Sequence, residues 1–288
     1  MTMKNNNPYK LCVAPMMGHT DMHFRYLLRL ISKKTMLYTE MVASNAILHN
    51  KSKKLNKLEH FNDEPVGFQL GGDNPEQLAK CAKIVESYGY NEININIGCP
   101  SKRAQSGNFG ACLFNQPKLV ASCTNEIAKV TSLPITVKTR LGIDNHDDIN
   151  YLKDFINIVS NASVNTFHLH ARKAILKKGI NPRKNRSIPP INYERVYELK
   201  KIFPHLKIII NAGILDRKSK LRAKFEKSKN LICIPFYADD NSTLGRIANN
   251  FFRDRKIPIS QESINLIVER CRGCLLYTSD AADEEDSV

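Results

Sequence analysis

Chemically capable side chains sit at the ends of short apolar runs in this sequence. Cys99 follows the run Glu92–Ile97 and stands between Gly98 and Pro100. The glycine permits a tight turn and the proline stiffens it. A free thiol titrates near ~8.5, so at neutral pH it is mostly protonated and can serve as an acid. The alternative for a lone cysteine is a small buried apolar residue, as Cys112 is read. Lys138 and Arg140 stand at the end of Ile135–Lys138. An ammonium there is costly unless it meets an anion. His168 and His170 end Thr166–His170, Gln69 ends Val66–Leu70, Asn96 precedes Cys99 by three residues, and Asn211 ends Ile208–Asn211. Glu40 lies within Leu37–Val42, and Pro15, Met16 and Met17 close Leu11–Met16. From Arg172 to Arg186 the chain is rich in lysine and arginine and has no acid; Arg172, Lys173, Arg183, Lys184 and Arg186 are the candidates for nucleic-acid contact.

Those runs, with Leu231–Pro235 as an eighth, are continuous and apolar rather than alternating. Strands covered on both faces read this way, which predicts a parallel sheet. Between them lie segments of helical periodicity: Pro75–Ser87, Lys118–Val130 and Asp147–Val159. Start signals are Asp73 or Asn74 before Pro75, and Asn115 before Pro117. Eight strand–helix units predict an α/β fold of the (β/α)8 TIM-barrel type, with active residues on the rim at the C-terminal ends of the strands. No GxGxxG follows the first run, which argues against a doubly wound sheet. The basic run follows the sixth strand, and its Gly, Pro and Asn content makes it a loop on that rim. Phosphate in such barrels is held after strands seven and eight. Asn211-Ala212-Gly213 supplies the first half of such a site, but the eighth run ends Pro235-Phe236, without glycine or base. Arg246 is a substitute candidate. The barrel is assigned to 8–255, a rudimentary helical segment to 256–273, with one amphipathic helix over Gln261–Arg270, and a non-native or disordered acidic tail to 274–288.

The 288 residues are 42% hydrophobic, enough for a large core. Lys and Arg total 43 against 28 acids, a net charge of +15. Such an excess attracts polyanions, although a lysine-rich composition alone could produce it. Cysteines are scattered, and the one CxxC, Cys271-Arg-Gly-Cys274, is weak support for zinc, so no metal site is assigned. The N-terminus is polar, and no run is long and apolar enough to cross a membrane. A cytoplasmic protein is expected.

Several segments follow one another in a recognisable order: Ala14-Pro-Met-Met17, Leu37-Tyr-Thr-Glu-Met-Val42, Phe68-Gln-Leu-Gly-Gly72, Glu92-Ile-Asn-Ile-Asn-Ile-Gly-Cys-Pro-Ser101, Gly107-Asn-Phe-Gly-Ala-Cys-Leu113, Val137-Lys-Thr-Arg-Leu-Gly142, His170-Ala-Arg-Lys-Ala174 and Ile188-Pro-Pro190. Over roughly residues 10–214 the chain resembles the tRNA-dihydrouridine synthase family, in the branch that acts on D-loop uridines at positions 20/20a. The resemblance implies FMN as cofactor, NADPH as reductant and tRNA as partner. It implies that Cys99 protonates C5 of a uracil that receives hydride at C6, with Asn96 beside the base. Lys138, His170 and Gln69 become flavin contacts, Pro15, Met16 and Met17 pack on the flavin, and Asn211 and Gly213 belong to the cofactor site. Arg140 joins the basic run as a substrate contact. His168 is expected to turn away from His170's side of the sheet as a structural residue, and Tyr38 and Phe109 to stack on the base. The chain departs from the family at Gly18-His19, where an acidic–aromatic pair is usual, at Pro235-Phe236, where a Gly-Arg turn is usual, and in the shortness of the C-terminal helical region. The alternatives are an RNA-binding barrel without flavin and an FMN barrel acting on a free pyrimidine.

Overall fold

A computed structural model of the chain describes residues 8–49, 58–59, 63–177, 180–211, 223, 227 and 241–271. The chain divides into two compact units, Met1–Leu215 and Asp216–Val288.

In the first unit every strand pairing is parallel. The first stave, expected over Leu11–Met16, is a bridge between Cys12 and Met36 rather than a strand. Val13 donates to Met36 O at 2.9 Å, and Met36 donates to Leu11 O at 3.0 Å. Pro15 has no N–H to extend this ladder, and the chain turns at once through Gly18, whose φ is +72°. The second stave is split into β1 (Leu37–Tyr38) and β2 (Val42–Ala43). At the break the Thr39 hydroxyl accepts the Gln69 N–H at 3.0 Å, so a side chain takes the place of a backbone carbonyl.

The remaining staves are continuous: β3 (Val66–Gly71), β4 (Glu92–Ile97), β5 (Ile135–Arg140), β6 (Thr166–His170) and β7 (Lys207–Asn211). Each pairs with its predecessor in sequence, in a register that sets Asn96 beside Lys138 and Arg140 beside His170, with His170 beside Asn211. Phe68, Leu70, Ile93, Ile95, Val137, Phe167 and Leu169 alternate with polar residues along these strands and share one core with Leu78, Val85, Val120, Leu152, Phe155 and Val159 of the helices. Full burial of each such side chain contributes about 1.5–3 kcal/mol. Those helices are α1 (Met22–Ile31), α2 (Ser44–Leu48), α3 (Pro75–Ser87), α4 (Lys102–Ser106), α5 (Pro117–Ala128), α6 (Ile149–Ser160) and α7 (Tyr193–Ile202). Sequential parallel staves joined by helices are the architecture of a (β/α)8 barrel. The eighth run, Leu231–Pro235, lies outside the described residues, as do Gly213, Pro235-Phe236 and 274–288.

Local signals explain most helix starts. The Asn74 side chain accepts from Gln77 N ahead of Pro75, and Asp148 caps α6. Asn115 does not cap α5. Gln116 holds that position without a side-chain bond, because the Asn115 amide oxygen accepts the Tyr151 hydroxyl at 2.5 Å instead. Helix α1 is inverted: Arg25 and Arg29 are buried, whereas Tyr26, Leu30 and Ile31 are exposed. Arg25 pairs with buried Asp63 at 2.6 Å. Arg29 donates to the carbonyls of Ser32, Thr35, Asp63 and Pro65.

In the second unit α8 (Asn241–Asp254) packs on α9 (Gln261–Cys271), where Ile264 and Val268 are buried one turn apart. The sequence assigned α8 to the barrel; here it belongs to the second unit with α9. Arg246 is exposed on α8. Among the described residues no helix is long and apolar enough to cross a membrane.

Candidate active site

Strand β4 ends at Ile97, and the chain turns through Gly98 and Cys99 into α4. The turn is braced from within. The Asn96 side-chain oxygen accepts the N–H of Gly98 at 3.0 Å and that of Cys99 at 2.9 Å. Asparagine is suited to closing a turn on the backbone two and three residues ahead. Across the turn, Cys99 O accepts the N–H of Ala111 at 2.9 Å. Gly110 makes that approach possible, since its φ is +74° and a Cβ there would lie 2.6 Å from Cys99 O. The Cys99 thiol is half-buried and points to the Ser101 hydroxyl at 3.3 Å. Ser101 also caps α4 by accepting from Ala104 N.

Arg140 clamps the same turn from β5. Its guanidinium donates to Gly98 O at 3.0 Å, Lys173 O at 3.0 Å and Asn185 O at 3.1 Å. It therefore ties the cysteine turn to the start and end of the basic loop. The loop is also strapped to the end of β5, where Ala174 N–H donates to Gly142 O at 2.8 Å and Leu141 N–H to Arg172 O at 3.2 Å. Lys173 pairs with Asp147 at 2.9 Å, and Arg172 donates to Pro189 O. Arg183, Lys184 and Arg186 remain exposed on a 3-10 turn.

Among the described residues the mouth beside Cys99 gathers the positive charges of Lys138, Arg140, Arg172 and Arg186. Lys138 makes no ion pair or hydrogen bond among the described residues. Burial, then the Arg140 charge, lowers its ammonium to about 8. Burial lowers Arg140 to about 10, with Arg172 and Arg186 adding to the effect and Cys99 opposing it. His170 is pushed down to about 3, first by burial and then by Arg140, Lys138, Arg172 and Arg186. A neutral imidazole among four cations, with an ammonium that has no counter-ion among the described residues, suits an anionic or strongly hydrogen-bond-accepting ligand. A flavin meets that description through its phosphate and its N1–C2=O edge. Met16 and Met17 are exposed on the rim at the end of the first stave, so core packing does not account for them.

Cys99, Asn96, Lys138, Arg140, His170 and Asn211 thus gather at the C-terminal ends of neighbouring strands. Other residues sit differently from expectation. His168 does not turn away from His170. Residues two apart on a strand share a face, and the Nε2 atom of His168 lies 3.0 Å from the Tyr38 hydroxyl inside the barrel. Tyr38 is buried against it, and Phe109 is packed against Gly71 and Gly107, so neither aromatic is free to stack on a base. Gln69 is buried, and both ends of its amide are bonded, to Asn94 and Asn96. Arg140, expected to touch substrate, serves backbone carbonyls. Sequence reasoning missed Ser101, whose place two residues after Cys99 was a usable signal; Glu40, noted on the second run, accepts the Gly18 N–H at 2.5 Å and pins the Pro15–Gly18 turn.

The C-terminal rim of the barrel thus sets a half-buried thiol among the side chains of Lys138, Arg140 and His170. The sequence profile described as Dihydrouridine synthase (Dus) matches residues 12–230. A Synechocystis protein named tRNA-dihydrouridine(20/20a) synthase is 54% identical over 71% of this chain and 60% of its own length. Proteins of the same name from Salmonella typhi and Vibrio parahaemolyticus are 53% and 52% identical, over 72% and 71% of this chain and 61% and 62% of theirs. The chain belongs to the dihydrouridine synthase family, and it spans about three-fifths of the length of these curated relatives.

Proposed function

We propose that this chain reduces the C5–C6 double bond of a tRNA uridine, with FMN held in the barrel mouth, NADPH as reductant and Cys99 as the acid. The relatives are named for positions 20 and 20a, and we assign the same uridines here. The observation that carries the proposal is the Cys99 thiol near the half-buried Lys138 ammonium, which has no counter-ion among the described residues. Lys138 and His170 would hold the flavin, with the rim methionines against its ring, while buried Gln69 would act only through Asn96. When bound, FMN supplies the hydride that NADPH provides.

Cys99 gives its S–H proton to C5 and is left as a thiolate. The charges of Lys138 and Arg140 favour that product, since an opposite charge close by stabilises an anion. Asn96 keeps the thiol in place by accepting the N–H groups of Gly98 and of Cys99 itself. Arg140 fixes the far side through Gly98 O. A uridine reaches the mouth only by leaving its stack, and exposed Arg183, Lys184 and Arg186 supply phosphate contacts for the surrounding RNA. Free pyrimidine would need no such surface.

The test is Cys99→Ala, assayed for bound flavin absorbance and for dihydrouridine in tRNA. The variant should bind flavin as the parent does and lose most product. An undiminished rate would remove Cys99 from its role, and equal turnover of free uridine would remove tRNA.

A further inference from the structure

A single file of hydrogen bonds runs through the barrel from the cysteine turn to its opposite end. It starts with the N–H groups of Gly98 and Cys99 on Asn96 Oδ1. Asn96 Nδ2 donates to Gln69 Oε1 at 2.9 Å, and Gln69 Nε2 donates to Asn94 Oδ1 at 2.7 Å. Asn94 Nδ2 donates to the Thr136 hydroxyl at 2.7 Å, which donates in turn to Glu92 Oε1 at 2.5 Å. Gln69, Asn94, Thr136 and Glu92 are each about 1% exposed, so water does not substitute for a missing partner.

Every bond in the file points the same way. Two backbone donors at the top require an acceptor, and they turn Asn96 with its oxygen upward. At the base the Glu92 carboxylate requires donors, and it receives three: Thr136, Tyr38 at 2.8 Å and Tyr9 at 2.6 Å. The Lys207 ammonium sits 4.6 Å from the Tyr9 ring centroid and adds positive charge nearby. Each amide between the two ends has one orientation that satisfies both neighbours. A flip of any one would set donor against donor and acceptor against acceptor.

We infer that Glu92 and Thr136 are positioning residues: through Asn94, Gln69 and Asn96 they fix the turn that carries Cys99. Neither touches the mouth. The effect on turnover rests on the function proposed above, whereas the effect on the turn does not.

Thr136→Val removes the linking hydroxyl and nearly keeps the side-chain shape. Hydrogen exchange of individual backbone amides then reads the turn directly. The Gly98 and Cys99 N–H groups should exchange about tenfold faster, the scale of one lost buried hydrogen bond. The amides of Val137 and Leu169 should not change, and Thr136→Ser should restore protection. On tRNA, kcat should fall by a similar factor with KM unchanged. Unaltered exchange at 98 and 99, or equal acceleration throughout the barrel, would overturn the inference. Should Thr136→Val not fold, the unsubstituted protein decides: the side-chain amide protons of Asn94, Gln69 and Asn96 must be protected against exchange, and rapid exchange there refutes the file. If the parent makes no dihydrouridine, the functional proposal fails while the exchange result still judges the ladder.

Discussion

The half-buried ammonium of Lys138 makes flavin affinity depend on pH in a way that can be worked out. Burial and the Arg140 charge hold it at about 8, against an ordinary value near ~10.4. A bound group that supplies the missing negative partner restores the ordinary value, so binding takes up a proton wherever Lys138 was neutral. By linkage, affinity is then set by the ratio of protonation polynomials of the bound and free states. Across pH 7 to pH 9 this ratio falls about tenfold, and the fall continues until the bound ammonium itself titrates. His168 and His170, both at about 3, stay neutral throughout this window. The assay is quenching of FMN fluorescence at constant ionic strength, in Cys99→Ala so that no thiol contributes. Lys138→Met should bind more weakly at pH 7 and show no decline toward pH 9. Flat affinity in the lysine-containing protein, or the same decline in Lys138→Met, would refute the reasoning.

Arg25→Met should cost about 3–5 kcal/mol in urea unfolding, because it removes the guanidinium that pairs at 2.6 Å with the buried Asp63 carboxylate. Gly110→Ala should cost about 1–3 kcal/mol, from its positive φ and the 2.6 Å approach to Cys99 O, and should change the rate at which iodoacetamide alkylates Cys99. Replacing Arg183, Lys184 and Arg186 together by Gln should lower the log–log salt slope of tRNA binding by about 2–3, measured by filter binding. Acid should destabilise the barrel. With His168 and His170 at about 3 in the fold and near ~6.5 unfolded, the unfolded chain takes up protons that the folded chain refuses. Stability therefore falls as pH drops from 6.5 toward 3, by up to about 1.4 kcal/mol per unit for each histidine, in urea titrations at stepped pH.

Strand ends were legible because each run is buried and closes on a polar residue before a turn, although the runs are not continuously apolar as expected: buried Glu92, Asn94, Thr136 and His168 alternate with the apolar residues. That rule located Cys99, Lys138, His170 and Asn211 together. It failed at the first two staves for local reasons: Pro15 has no donor, and the Thr39 hydroxyl takes a place in the ladder. It also gave no access to partners. Asn96 and Arg140 read as substrate contacts because they are polar and near the thiol, yet most of their hydrogen-bonding capacity goes to backbone atoms of the turn and the basic loop. Side chains with several donors or acceptors can serve the chain or a ligand, and spacing does not say which.

Depth along a strand separates the two roles. His168 and His170 face the same way two residues apart, but the lower one meets Tyr38 and stands 4.0 Å from Glu92, whereas the upper one stands among Lys138, Arg140, Arg172 and Arg186. At the lower level burial pushes the Glu92 carboxyl up, and three hydroxyl donors and the Lys207 ammonium oppose that push from within the chain. At the upper level the charges share one sign, and Lys138 has no partner among the described residues. Folding alone has no reason to collect like charges in a partly buried mouth, since each lowers the stability of the next. An anionic group completing the site would offset that cost, and the imbalance among the described residues, more than any single residue, supports placing the proposed chemistry at this end of the barrel.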